Sequence, residues 1–89
     1  MKMEYRIKIA QSALNRLKQL PENIKTRLIK TINGLSTNPR PDNCVPIKGK
    51  KNAYRIRKGN YRIIYTINDD NLLILIIRIG HRKDIYRNM

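Results

Sequence analysis

The sequence predicts an α+β fold in which a mainly antiparallel four-stranded sheet carries a two-helix hairpin on one face. Three observations predict it: apolar and basic residues alternate over residues 5–9, apolar residues recur at helical spacing between residues 10 and 35, and three strand-like segments begin at residue 54. The resulting order is β-α-α-β-β-β with a short C-terminal tail. With 89 residues the chain can bury one modest core, so we expect a single domain over residues 1–89.

A change of period separates the first strand from the helices. The segment YRIKI, residues 5–9, alternates with the period of two that a strand requires, so its basic side chains face outward. Apolar residues then recur every three or four positions up to Pro21, and again from Ile24 to the NPRP segment at residues 38–41. Pro21 divides these stretches because proline suits the first turn of a helix and disfavours helix at the residue before it. The pattern predicts a helical hairpin.

The second half of the chain is predicted to form a loop and then a three-stranded meander. Residues 40–52 are rich in Pro, Lys, Gly and Asn, which predicts irregular structure, with a short extended piece around residues 45–48 as the alternative. Strands are expected over residues 54–57, 61–67 and 72–79, with the last two joined by turn-forming Asn and Asp residues. The third of these strands is apolar on both faces, so it should lie inside the sheet and end at Gly80.

Arginines recur along these strands at the spacing of one sheet face. In the segment YRIRKGNYRIIY, residues 54–65, they alternate with Tyr and Ile, so the helices should cover the apolar side while the arginines face the open side. Arg78 is assigned to the open side by its parity with Ile74 and Ile76. The arginines predicted on the open face are Arg55, Arg57, Arg62 and Arg78. Guanidinium groups held on a stiff sheet form a preorganised site for phosphate.

The composition indicates a polyanionic partner. Lys and Arg number 20 against 6 Asp and Glu, and the formal net charge of +14 attracts polyanions. Cys44 is the single cysteine, which excludes an intrachain disulfide and the usual Cys and His cluster of a metal site, so we expect no cofactor. The first ten residues lack the apolar segment of a signal peptide, and the apolar run Leu72–Ile77 is far shorter than the roughly 20 residues of a membrane helix. We therefore expect a cytoplasmic protein with no membrane contact.

Four segments together resemble one protein family. They are LSTNPRP at residues 35–41, IKG at 47–49, YRIRKGNYRIIY at 54–65 and IGHRKDIY at 79–86. In this order the chain resembles the RelE/ParE superfamily of toxins from type II toxin–antitoxin systems. Resemblance to the RelE branch implies an mRNA interferase, a metal-independent and ribosome-dependent endoribonuclease that cleaves translated mRNA in the decoding site, inhibits translation and arrests growth. It also implies the partners: a cognate acidic antitoxin, the ribosome with its rRNA, mRNA, and operator DNA reached only through the antitoxin.

The resemblance also assigns the site. The family's positions fall on Arg55 and Arg57, on Arg62 of the next strand, and on Arg82 and Tyr86 beyond the last strand. Fixed guanidinium groups stabilise the charge that develops in a phosphorus transition state. Tyr86 would either stack on an exposed base or exchange a proton. The alternative role for Tyr86 is ordinary packing of the C-terminal tail.

Proton transfer and wider RNA contacts involve further residues. Arginine cannot be deprotonated in a protein, so His81, the one histidine of the chain, is the candidate for proton transfer, with a surface or capping role as the alternative. Additional RNA contacts are expected from Lys48, Lys50, Lys51 and Arg78. The basic residues Lys25, Arg27 and Lys30 of the second helix belong either to a solvated face or to a contact with rRNA.

Two other functions are compatible with the sequence. The first is ParE-like inhibition of DNA gyrase, which would use the same fold without cutting RNA. The second is a basic nucleic-acid-binding module without catalysis, since a domain of charge +14 binds phosphates by counterion release in any case. The strand arginines together with the C-terminal Arg and Tyr favour RelE-type chemistry over both.

Overall fold

Two helices lie against one face of a five-stranded mixed sheet in the computed structural model, which describes residues 4–81. The elements are β1 (Arg6–Ile9), α1 (Gln11–Lys18), α2 (Glu22–Gly34), β2 (Cys44–Pro46), β3 (Ala53–Lys58), β4 (Tyr61–Asn68) and β5 (Leu73–His81). The strand order is β1-β5-β4-β3-β2, with β1 parallel to β5 and the other neighbours antiparallel. The predicted α+β class with two helices is confirmed. Neither helix of residues 4–81 is long and apolar enough to span a membrane.

The structure corrects the prediction of a four-stranded sheet. Residues 40–52, which we expected to be irregular, contain the edge strand β2, and Cys44 of this strand lies opposite Ile56 of β3. Three residues are too few to show a readable period, and proline at Pro46 argues for a strand only at a sheet edge. The parallel pairing of β1 with β5 is a second difference, because an alternating pattern specifies which face is buried and leaves strand direction open.

The core lies between the helices and one face of the sheet. Its strand residues come mainly from the inner β4 and β5, and the tyrosine among them is fully buried. The buried cluster contains Ala13, Leu17, Leu28, Ile32, Leu35, Ile56, Ile63, Tyr65, Ile67, Ile74, Ile76 and Ile79. The helical members recur at three- and four-residue spacing, as predicted for amphipathic helices. Pro21 precedes α2 with a φ of −54°, which suits the start of a helix.

A β-bulge in β5 changes which side chains face the core. Arg78 lies opposite Ile64 of β4, but the next residue of β4 lies opposite Ile76, so Ile77 is the extra residue of the bulge. Ile74 and Ile76 are therefore fully buried under the helices while Arg78 lies on the open face. The structure confirms the predicted side for Arg78. The premise that Arg78 shares a face with Ile74 and Ile76 is wrong, because the bulge breaks the alternation. The strand also continues through Gly80 to His81, past its predicted end.

Candidate nucleic-acid interface

Four arginines lie on the open face of the sheet in two cross-strand rows. In the first row, Arg57 of β3 lies directly opposite Arg62 of β4, which lies opposite Gly80 of β5. In the second row, Arg55 and Arg78 flank Ile64 of β4. Residues directly opposite one another on neighbouring strands project on the same side of the sheet. We call the group of Arg55, Arg57, Arg62 and Arg78 the arginine face.

The arginine face combines fixed and accessible guanidinium groups. Arg62 is only 6% exposed, Arg55 and Arg78 are half-buried, and Arg57 is exposed. The two rows are two residues apart along the strands, about 6.6 Å at the usual rise per residue. Gly80 adds no side chain to the first row and is itself buried. Positive charges at fixed spacing on a sheet suit a phosphodiester, whose nonbridging oxygens accept charge-assisted hydrogen bonds.

His81 lies on the other side of the sheet. It is opposite Tyr61 in the strand register, and the two rings meet edge to face with centroids 5.6 Å apart. Tyr61 packs against the core under the helices, as does Ile63 two residues further along β4. The structure thus places the candidate proton acceptor against an aromatic ring on the helix-bearing side and does not bring it to the arginine face.

The remaining site residues fall elsewhere. Arg82 and Tyr86 lie outside the described residues 4–81.

The three predicted RNA-binding lysines, Lys48, Lys50 and Lys51, are exposed in the turn between β2 and β3. In this turn the backbone N–H of Lys50 donates to the carbonyl of Ile47. The start of β3, which follows this turn, lies about 13 Å along the strand from Arg57 but about 7 Å from Arg55. The three lysines therefore lie beyond the Arg55 end of the arginine face.

A polar cluster that the sequence did not indicate fixes the loop after α2. Arg40 donates to both carboxylate oxygens of Asp69, at 2.8 and 3.3 Å, and to the hydroxyl of Tyr54 at 3.1 Å. Its guanidinium also lies 5.4 Å from the centre of the Tyr54 ring. Tyr5 donates a 2.6 Å hydrogen bond to the same carboxylate. The Arg40 guanidinium, more than the Tyr5 hydroxyl, holds the pKa of Asp69 below its ordinary value.

The buried hydroxyl of Tyr65 makes a related contact with this loop. It donates to the Pro39 carbonyl at 2.8 Å, while its ring stacks on Tyr54. Burial raises the pKa of the Tyr65 hydroxyl. The sequence pattern placed the tyrosines on the buried side of the sheet, and this was the one available signal for such contacts, because a buried tyrosine hydroxyl needs a hydrogen-bond partner. The partner of Tyr65 is 26 residues away and has no local sequence pattern.

The comparisons with known proteins agree with this architecture. The family described as the ParE toxin of type II toxin-antitoxin system, parDE, matches residues 7–86. The chain belongs to this toxin family. Within it, the chain is 38% identical over 85 residues to "Toxin RelE3" of Methanocaldococcus jannaschii. The alignment covers 91% of this chain and 94% of the relative. The named relative places the toxin in the RelE branch.

Two solved structures of RelE proteins share the fold over most of the chain. The archaeal RelE–RelB complex from Pyrococcus horikoshii OT3 superposes with a TM-score of 0.82 at 29% identity, covering 92% of this chain and 99% of that one. The RelB–RelE antitoxin–toxin complex from Methanococcus jannaschii gives a TM-score of 0.74 at 36% identity, covering 92% and 98%. Both relatives were solved with RelB, so toxins that share this fold include ones that bind an antitoxin.

Proposed function

We propose that this toxin is a ribosome-dependent endoribonuclease that cleaves translated mRNA in the decoding site and so inhibits translation. The observation that carries the proposal is the arginine face, in which Arg57 lies directly opposite the nearly buried Arg62. Like charges directly opposite one another destabilise a sheet, so this pairing is unfavourable by itself. An anion with two or more acceptor oxygens bound between the two guanidinium groups would offset their repulsion.

The proposed chemistry uses the RNA's own 2′-hydroxyl. Its oxygen attacks the adjacent phosphorus, the bond to the 5′-oxygen breaks, and the products are a 2′,3′-cyclic phosphate and a 5′-hydroxyl. Arg57 and Arg62 would bind the nonbridging oxygens and stabilise the charge that builds there, an effect worth several kcal/mol in comparable sites. Arg55 would hold the same phosphodiester or its neighbour from the second row.

The 2′-hydroxyl must lose a proton and the leaving 5′-oxygen must gain one. The guanidinium groups cannot accept a proton. Following the family resemblance, we propose that Arg82 and Tyr86 complete the site, with Tyr86 stacking on a base or exchanging a proton. The packing of His81 on Tyr61 supports a structural role for this histidine.

The proposed partners follow from the family and from charge. The RelE relatives were solved with RelB, and we propose that this toxin is likewise neutralised by a cognate antitoxin. An acidic antitoxin segment is complementary to a protein of net charge +14, and a disordered one could cover a wide area. The toxin would act on ribosomes in the cytoplasm and reach operator DNA only through the antitoxin.

A ParE-like activity is the second candidate, because the matching family is described by the parDE system. Purified protein incubated with programmed ribosomes separates the candidates. The proposal predicts new mRNA 5′ ends bearing hydroxyl groups, with unchanged gyrase supercoiling. Inhibited supercoiling with intact mRNA would support the gyrase candidate, and salt-sensitive binding alone would support a module without catalysis.

A further inference from the structure

A second cationic surface lies on the helix-bearing side, away from the arginine face. Arg27 and Lys30 of α2, one turn apart, face Lys58 at the end of β3 across a groove that Thr31 also lines. Lys58 lies opposite Tyr61 in the strand register, and Tyr61 packs against the core, so this lysine is on the opposite side of the sheet from Arg57. We call the site formed by Arg27, Lys30 and Lys58 the helix-2 groove.

The charges of the helix-2 groove are available to a ligand. Arg27, Lys30 and Lys58 are all exposed, and no described carboxylate forms a salt bridge with them. The nearest acidic residue in sequence, Glu22, pairs instead with Lys25 at 3.3 Å. Three cations from two separate elements thus converge on one groove without internal neutralisation, at a cost in mutual repulsion that a bound anion would remove.

An adjoining cleft makes nucleic acid the best fit for that anion. Arg27 and Lys58 also line this cleft of about 310 Å³ beside the groove. Its other lining residues supply an apolar floor with amide groups: Asn23, Ile24, Leu28, Gly59, Asn60 and Tyr61. Apolar surface beside amide donors suits an unpaired base or ribose, and cations beside it suit the attached phosphate.

We propose that the helix-2 groove is a second RNA-binding site, in which Arg27, Lys30 and Lys58 contact backbone phosphates of a structured RNA. The inference rests on the proposed function in taking RNA as the natural ligand. The arginine face would take the strand to be cut, and the groove would hold RNA on the other side of the sheet. The turn between β3 and β4 separates the two sites, so RNA would bind on both sides of this turn.

The test compares two pairs of substitutions that remove equal charge. The groove variant is Arg27→Gln with Lys58→Gln, and the control is Lys8→Gln with Lys18→Gln, two exposed lysines of β1 and α1 outside the groove. Binding of a fluorescent RNA hairpin with a single-stranded loop is measured by anisotropy across a salt series. Each lost phosphate contact lowers the slope of log K against log salt by about 0.7–0.9, so we expect the groove variant to lose about 1.5 in slope and about tenfold in affinity.

The control should keep the slope of the unsubstituted protein. Equal losses in both variants, or no loss in the groove variant, would overturn the proposal, because binding would then depend only on overall charge. Cleavage of mRNA on ribosomes, measured separately, distinguishes the two proposals. A protein that does not cleave mRNA but shows the slope difference refutes the endoribonuclease and keeps the groove. A protein that cleaves mRNA but shows no slope difference between the two variants keeps the endoribonuclease and refutes the groove.

Discussion

Replacing Arg57 with glutamine should stabilise the protein while impairing its function. Arg57 lies directly opposite Arg62, where Cβ atoms are about 5 Å apart, and we take about 7 Å between the charged groups because the long side chains can spread apart. At an effective dielectric constant of about 20–80, Coulomb's law gives a repulsion of roughly 0.6–2.4 kcal/mol. Screening at 0.1 M salt, where the Debye length is about 10 Å, halves it to roughly 0.3–1.2 kcal/mol. Arg57→Gln should raise the free energy of unfolding by that amount.

The assay is urea unfolding at two salt concentrations. At 1 M salt the Debye length is about 3 Å, so the gain from Arg57→Gln should fall to about 0.2 kcal/mol or less. Lys18→Gln is the matched control, because it removes one positive charge from an exposed helical position without a cross-strand cation. The same Arg57 variant should cleave ribosome-bound mRNA about 100-fold more slowly, as expected on losing one donor to a developing anion. An unchanged or lowered stability at 0.1 M salt, or an equal gain in the control, would show that Arg57 and Arg62 do not repel each other in the folded protein.

Three further predictions concern the loop cluster and the histidine. Tyr65→Phe should lower the free energy of unfolding by about 1 kcal/mol, a fall of about 4–8 °C in Tm by calorimetry, because the Pro39 carbonyl loses its donor; an unchanged Tm would contradict that role. His81→Asn should still arrest growth when expressed without antitoxin, since the ring packs on the side opposite the arginine face; complete loss of toxicity in a folded variant would return the histidine to the active site. Because Arg40 lowers the pKa of Asp69, this carboxylate stabilises the fold fully above its unfolded pKa of about 3.9 and loses that contribution as the pH falls through the lower folded value. Asp69→Asn should therefore flatten the acid side of the stability profile measured by urea unfolding, and a profile identical to that of the unsubstituted protein would argue against the ion pair.

Local periodicity predicted the elements with long patterns, and tertiary pairing decided the others. The alternation in residues 54–65 correctly placed Arg55, Arg57 and Arg62 on one face, because hairpin strands keep their parity from end to end. β2 could be predicted only as an alternative to irregular structure, because three residues carry no period and the strand depends on pairing with β3. The bulge at Ile77 was equally hidden, since nothing in an apolar run marks an extra residue.

The candidate site shows the same division. Its arginines could be assigned from spacing, whereas the side of the sheet taken by His81 depends on how far β5 extends and on its pairing with β4. The helix-2 groove joins residues 27 and 58, which come together only once the hairpin packs on the sheet. Contacts of that kind depend on the tertiary fold and have no signature in a single sequence.

Mapping of mRNA 5′ ends on programmed ribosomes shows whether this toxin cleaves RNA at the arginine face. Purified toxin, its Arg57→Ala variant and the Lys18→Ala control are each incubated with ribosomes stalled at a known codon, and the ends are sequenced. We predict 5′-hydroxyl ends within the decoding site for the unsubstituted protein and the control, and a loss of about 100-fold in their rate of formation for Arg57→Ala. Intact mRNA with the unsubstituted protein, or equal cleavage by folded Arg57→Ala, would contradict the account.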